Sequence, residues 1–247
     1  MRMALCNIGL SCLSINQFNR TERNSVLGTE ARRILSILAD SPLASINAIA
    51  TDENGRPFLH GSNVDFSISH SGSAVAVSLV SDENIHRAKI RTGCDIQLIR
   101  PRKNLRNIAE ENFSAAERDY ILLQNETWLD RFFQIWTLKE CYIKLRGLSV
   151  FDMPKVPSFI SGNDTADRNI FAFDSGSSSP LSFYLYELAY AGECYALAIA
   201  IEKVSYGDPG SNGDQPWDIQ PELRIFSQSS EQFPLNICCN LVSCFIK

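Results

Sequence analysis

This chain of 247 residues is short of the residues from which several kinds of site are built. It has three histidines, and its eight cysteines, at 6, 12, 94, 141, 194, 238, 239 and 244, include no C-x-x-C pair, so no zinc-ligand pattern forms. Basic residues are outnumbered, 23 Lys and Arg against 28 Asp and Glu, and the net charge of −5 argues against a generic nucleic-acid binder, which needs cations clustered over a face. The dinucleotide fingerprint G-x-G-x-x-G is missing after any strand-like run. G-x-S-x-G is also missing, and Ser69, His70 and Ser71 are too close in sequence to make a hydrolase triad. No apolar run approaches the roughly 20 residues of a membrane span. The opening MRMALCNIGLSCL has a weak apolar run broken by Asn7 and reads as a first strand, so a cytoplasmic protein with no membrane or nucleic-acid partner is expected. Cys244 stands four residues from the end, as in a prenylation box, but Lys247 is not a usual last residue.

What is present is enough apolar material for a core: 45% of the residues are hydrophobic. The stretch FFQIWTLKECYIKLRG, 132–147, organises the rest. Phe132, Ile135, Trp136, Tyr142 and Ile143 recur at helical spacing, and Gly147 supplies a left-handed stop. At about 100° per residue Lys139 falls inside the apolar arc, with a partly exposed stem and its head snorkelling outward, while Glu140 and Lys144 stack one turn apart on the flank. Two cations and a carboxylate therefore border a buried stripe.

Upstream, Ser25–Ala39 reads as a helix with Leu27, Ala31, Ile34, Leu35 and Leu38 on one face, entered by Arg20 and Arg23. Asn54-Gly55-Arg56-Pro57 is a turn. Residues 64–79 alternate as a hairpin bent at Ser71-Gly72-Ser73, with His70 near its tip. Ile90–Ile99 is a strand on which Asp95 and Gln97 share one side and Cys94, Ile96 and Leu98 the other. A short helix follows Pro101, and Ser114 with Glu117 has capping-box spacing, which alone could account for Glu117. Residues 181–201 form a second hairpin turning at Gly192. Cys94, Cys141 and Cys194 are expected to be reduced core residues.

A strand, helix and hairpin order that occurs twice suggests two similar halves. The expected fold is α+β: a pseudodimer in one chain, each half a small, mainly antiparallel sheet packed on a long helix. The halves are 1–95 and 96–203, and 204–247 is a low-complexity tail with an apolar, Cys-rich end. Residues 205–234 are expected to be mobile, and truncation after Lys203 is expected to leave function nearly unchanged.

FSISHSG at 66–72, TGCDIQ at 92–97, FSAAE at 113–117 and WTLKECYIK at 136–144 follow in an order and spacing that resemble the surfactin-synthetase-activating type of 4′-phosphopantetheinyl transferase. Gly55-Arg56-Pro57 is similar to that family's G-K/R-P. The resemblance covers roughly 20–201, and W-T-x-K-E-x-x-x-K is its most specific part.

The resemblance implies transfer of the phosphopantetheine arm from coenzyme A to a serine of an apo acyl, peptidyl or aryl carrier protein, by a monomer that needs Mg2+. It makes Asp95, Gln97 and Glu140 metal ligands, and sets Lys139, Lys144, Ser69 and His70 on the phosphates. Arg20, Arg23 or Arg56 would reach the adenosine 3′-phosphate. Glu117, Glu140 and Lys144 would carry catalysis, Glu117 as a metal-side group or base. Such chemistry is mostly positioning and charge neutralisation, which suits a hard divalent ion held by carboxylates. Gln97 departs from the family's second acidic residue, which leaves open a degenerate module that binds coenzyme A or a carrier protein without turnover.

Overall fold

The computed structural model describes residues 5–15, 17–42, 49–81, 88–122, 126–160, 180–205, 221–226 and 238–246. In chain order these hold β1 (Leu5–Cys12), α1 (Arg20–Leu38), β2 (Ala50–Thr51), β3 (Pro57–Phe58), β4 (Val64–Ser71), β5 (Ala74–Ser81) and β6 (Ala88–Leu98). Then come α2 (Leu105–Asn112), α3 (Ala115–Leu122), α4 (Trp128–Arg146), a 3-10 turn (Val150–Lys155), β7 (Leu181–Tyr190), β8 (Glu193–Ser205), β9 (Pro221–Phe226) and β10 (Cys238–Ile246). The fold is mixed α+β.

Helix α1 starts earlier than its apolar spacing suggests because Asn19 caps it. The Asn19 side chain accepts from the Thr21 and Glu22 amides, and the Glu22 carboxylate accepts in return from the Asn19 amide. Its buried face carries the expected Leu27, Ala31, Ile34, Leu35 and Leu38. Gly147 closes α4 with φ 65°, the left-handed stop that only glycine adopts at little cost.

Two four-stranded sheets form, ordered β4-β5-β1-β9 and β10-β7-β8-β6. In the first, hairpin strand β5 pairs antiparallel with β1; in the second, hairpin strand β8 pairs antiparallel with β6. Helix α1 lies on β1 and β5, while α4 lies on β6, β7 and β8. Alternation sends opposite faces of each sheet to different cores. Leu27, Ile34 and Leu35 meet Phe66, Val75 and Val77 under α1. Ile8, Leu10 and Ala76 meet Ile96, Tyr195 and Leu197 between the sheets, and Ala196, Ala198 and Ala200 meet α4. The layers are therefore helix, sheet, sheet, helix.

Three expectations change. Residue 95, the expected end of the first half, lies inside β6, and the whole of β6 pairs with β8. Part of the expected tail is sheet: β9 runs parallel beside β1 and β10 antiparallel beside β7. Pro221–Ile225 alternates apolar and polar residues, a strand signal hidden in polar surroundings; Leu223 packs toward the core between the sheets, and Phe226, on the opposite face, packs toward α1. Cys94 and Cys141 are buried as expected, but Cys194 is exposed beside the β7–β8 turn.

One close approach sets the position of β6. A Cβ placed on Gly93 would lie 2.5 Å from the Cys141 carbonyl oxygen and 3.0 Å from the Leu145 Cβ, so β6 and α4 meet nearly backbone to backbone. Gly93→Ala should cost on the order of 2–3 kcal/mol, a fall of roughly 5–10 °C in Tm. Gly28→Ala, on α1 with only an Arg32 side chain at 3.4 Å, should be neutral or slightly stabilising. Thermal melts of the two variants check this, and equal melting of Gly93→Ala and the parent would mean the helix stands further off.

Candidate functional site

Where β6, β4 and α4 meet, a carboxylate is enclosed by donors. Asp95 is 1% exposed. Its Oδ1 accepts from Ser69 Oγ at 2.7 Å and from Lys144 Nζ at 2.7 Å, and its Oδ2 accepts from Gln97 Nε2 at 3.0 Å. Lys144 Nζ also reaches the Ile68 carbonyl at 3.5 Å. Alternation along β6 places Asp95 and Gln97 on the α4 side, and the one-turn spacing of Glu140 and Lys144 brings both of these to the same place.

The charges are strongly coupled. Burial first, and then repulsion by Asp95, pushes the Glu140 carboxyl up to about 7, with Lys144 working the other way. Burial also opposes the charge on Lys144, but Asp95 outweighs it and holds the ammonium above the ordinary lysine range. The accessible His70 imidazole is pushed below its usual value by desolvation and then by Lys144, so it is neutral near pH 7. Asp95, Gln97, Glu140, Lys144, Ser69 and His70 thus share one site.

Lys139 and Glu117 do not join it. The Lys139 side chain is 1% exposed and that of Glu117 0%, and they pair at 3.1 Å. Lys139 Nζ also donates to the Val156 carbonyl at 3.1 Å, and the Phe113 ring lies beside it. Glu117 Oε2 accepts from the Ser114 amide at 2.8 Å, completing the expected capping box, and Oε1 accepts from the Phe159 amide at 2.9 Å. The expected snorkelling of Lys139 fails because one residue, about 100°, turns it from the Glu140 flank into the layer under α3 and the 3-10 turn. Burial there pushes Lys139 below the usual lysine range, and Glu117 offsets part of this.

The arginines divide as well. Arg56 is consumed by the protein: its guanidinium donates to the Lys144 and Leu145 carbonyls, to Asp65 and to the Thr92 carbonyl. It ties the 54–57 turn to the last turn of α4 and to β6. Arg20 is exposed and Arg23 half-buried on the first turns of α1, and Arg23 Nε is a buried donor with no partner among the described residues. Sequence reasoning misses Asp65 and Gly93. The signal for Asp65 is D-x-S-x-S-x-S, where it opens a polar face with period two along β4.

Residues 91–200, which carry Asp95, Gln97, Glu140 and Lys144, match the family model described as the 4′-phosphopantetheinyl transferase superfamily. The match covers 110 of the 247 residues, and over that segment the chain is similar to this superfamily. Among similar proteins, "4'-phosphopantetheinyl transferase AcpT" of Salmonella typhi is 38% identical over 130 residues, 52% of this chain and 62% of the relative. The Escherichia coli K12 protein of that name is 36% identical over 123 residues, 49% and 60% of the two chains. "4'-phosphopantetheinyl transferase gsp" of Aneurinibacillus migulanus is 30% identical over 159 residues, 62% and 60%. The chain therefore spans 60–62% of the length of these curated relatives. The superfamily match begins within β6 and ends within β8, so the first sheet's β1, β4 and β5 lie outside it.

Two outcomes follow from these pairs. An unfolded chain ionises Glu140 from about pH 4.5 upward, whereas the folded one resists until about 7, so this group's contribution is present below 4.5 and lost as pH rises to 7. Glu140→Gln should flatten that decline in metal-free protein, gaining on the order of 1–3 kcal/mol at pH 8 relative to pH 5. Urea melts at the two pH values read it, and parallel pH profiles for variant and parent would contradict it. Lys139→Ala should strand the Glu117 charge and cost about 3–5 kcal/mol, whereas Lys139→Met with Glu117→Gln should cost less. Circular dichroism melts distinguish them; a Lys139→Ala protein with parental Tm would show the pair is hydrated.

Proposed function

We propose that the chain transfers the phosphopantetheine group of coenzyme A to a serine of an apo acyl, peptidyl or aryl carrier protein, releasing 3′,5′-ADP. The observation that carries this reading is the convergence of Asp95, Glu140, Lys144 and His70 on one site within and beside the segment matched by the superfamily. The serine oxygen forms a bond to the pantetheine-side phosphorus, the bond from that phosphorus to the bridging oxygen breaks, and the serine proton must leave.

The chain's own groups suit these tasks. Lys144, held charged by Asp95, is a phosphate cation that keeps its proton across the working pH range. His70, neutral when free, can take up a proton beside an arriving phosphate. Glu140, in the Asp95 site, is better placed to accept the serine proton than Glu117, whose two oxygens are held by Ser114 and Phe159. Arg23, with its unpartnered Nε, and Arg20 are the groups assigned to the adenosine 3′-phosphate, in place of Arg56.

The donor set fits a hard divalent cation. Two carboxylates close enough for Asp95 to raise Glu140 share one site with an amide, while among the described residues no group of three His, Cys, Asp or Glu is placed to hold a metal ion. Asp95, Glu140 and the Gln97 amide oxygen would hold Mg2+, which when bound supplies neutralisation of pyrophosphate charge. The shared strand orders β4-β5-β1 and β7-β8-β6 support two halves related as a pseudodimer, divided between Ser81 and Ala88. One chain then holds both walls of the site, which suits a cytoplasmic monomer. Among the described residues no helix is long and apolar enough to cross a membrane.

Incubation with coenzyme A, Mg2+ and candidate apo carrier proteins should add one phosphopantetheine by mass and release 3′,5′-ADP. Because Gln97 stands where an acid is usual, a module that only binds coenzyme A or a carrier protein is the second reading, and it would release no nucleotide. Gln97→Glu replaces a donor to Asp95 by a third carboxylate in the site. It should lower the Mg2+ concentration for half-maximal transfer by roughly tenfold, about 1.4 kcal/mol, and Asp95→Asn should cripple turnover. Magnesium titrations that coincide for both variants and the parent would place the metal elsewhere.

A further inference from the structure

The face of β4 opposite its apolar one meets the free edge of β6 in a regular way. Asp65, Ser67, Ser69 and Ser71 alternate with Phe66, Ile68 and His70, so all four point away from the α1 core. Each accepts from a backbone amide of β6. The Thr92 N–H reaches Asp65 Oδ2 at 2.7 Å, Cys94 N–H reaches Ser67 Oγ at 3.1 Å, Ile96 N–H reaches Ser69 Oγ at 3.2 Å and Leu98 N–H reaches Ser71 Oγ at 2.9 Å. The sequence offset is 27 at every rung. Among the described residues β6 pairs with β8 on one side only, and these amides have no strand partner there. A strand edge buried without acceptors would leave them unsatisfied. The polar side chains of β4 stand in for the missing strand.

One rung differs from the others. A serine hydroxyl has a single proton. Ser67 turns toward the Cys94 carbonyl at 3.5 Å, but Ser69 directs its hydroxyl to Asp95 Oδ1 at 2.7 Å. Its acceptor side is engaged by Ile96 N–H, the residue next to Asp95, so β6 orients Ser69 and Ser69 in turn orients the β6 carboxylate. Accepting one bond polarises the hydroxyl for donating the other.

We propose that D-x-S-x-S-x-S on β4 is a side-chain ladder that docks the two sheets, and that within it Ser69 is a positioning residue for Asp95 rather than a phosphate contact. The ladder stands on geometry alone; the consequence for metal response rests on the reading of Asp95 given under Proposed function.

Ser67, Ser69 and Ser71 provide matched controls, because alanine at each removes one amide acceptor and only Ser69→Ala also removes a donor to Asp95. All three should lower Tm, Ser69→Ala the most, and three unchanged melting points would overturn the ladder. Double-mutant cycles with Asp95→Asn, read by urea unfolding without metal, should show coupling of about fivefold or more in the unfolding constant for Ser69→Ala and near additivity for the other two. Equal coupling for all three would overturn the positioning role. In thermal-shift titrations without coenzyme A, Ser69→Ala should raise the half-saturating Mg2+ concentration about three- to tenfold over Ser67→Ala, and Ser69→Thr, which keeps the hydroxyl, should restore it. A Mg2+ response in the parent that Ser69→Ala shares unchanged counts against positioning. No Mg2+ response in the parent would sink the metal reading instead, and the cycles alone then decide the role of Ser69.

Discussion

A carboxylate that is 1% exposed has lost the water that would stabilise its charge, and an uncompensated buried charge costs several kcal/mol. Asp95 meets this by accepting from three side chains, and each comes from a different part of the chain: Ser69 from β4, Lys144 from α4 and Gln97 from its own strand. The junction of the two sheets with the long helix is thereby held in one arrangement. Removing water also lets Asp95 act strongly on its neighbours. The same anion keeps Lys144 protonated and pushes the Glu140 carboxyl up to about 7, so one buried group sets the charge state of two others.

That arrangement requires β6 to lie very near α4. Gly93 meets the Cys141 carbonyl, and the facing strand β8 presents Ala196, Ala198 and Ala200, so small side chains open the space along the whole contact. Arg56 then fastens the other end by binding the last carbonyls of α4, which neutralises the negative end of the helix near Lys144. Two consecutive residues of α4 consequently serve different purposes. Glu140 faces the Asp95 site, while Lys139 compensates Glu117 in a core of its own beneath α3. The second pair holds α3 to α4 by a buried charge contact and has no bond to the first among the described residues.

Much of this organisation is legible in the amino-acid sequence. The apolar spacing of 132–147, the stop at Gly147, the capping box of Ser114 and Glu117 and both hairpins are local properties, and the chain adopts them where the residues say it should. Sidedness is legible too: Asp95 and Gln97 must share a face of their strand, and Glu140 and Lys144 a flank of their helix. The environment of each charge is not. By helical spacing Lys139 is free to reach solvent, and by turn chemistry Arg56 is free to hold a phosphate, because neither says which distant carboxylate or carbonyl will be waiting. The polar stretch before β9 reads as unable to fold, since Leu223 and Phe226 find their core only through β1 and α1.

Most of the elements, the direction each side chain leaves its element, and the acids and bases available to the site could be read from the chain alone, because those follow from periods of two and 3.6 residues and from side-chain identity. Tertiary structure alone decided which of those groups meet. The register that sets 65, 67, 69 and 71 against 92, 94, 96 and 98, and the approach that Gly93 permits, join segments far apart in the chain. Charge states followed from that meeting, since a pKa depends on burial and on neighbours that only the folded chain brings together.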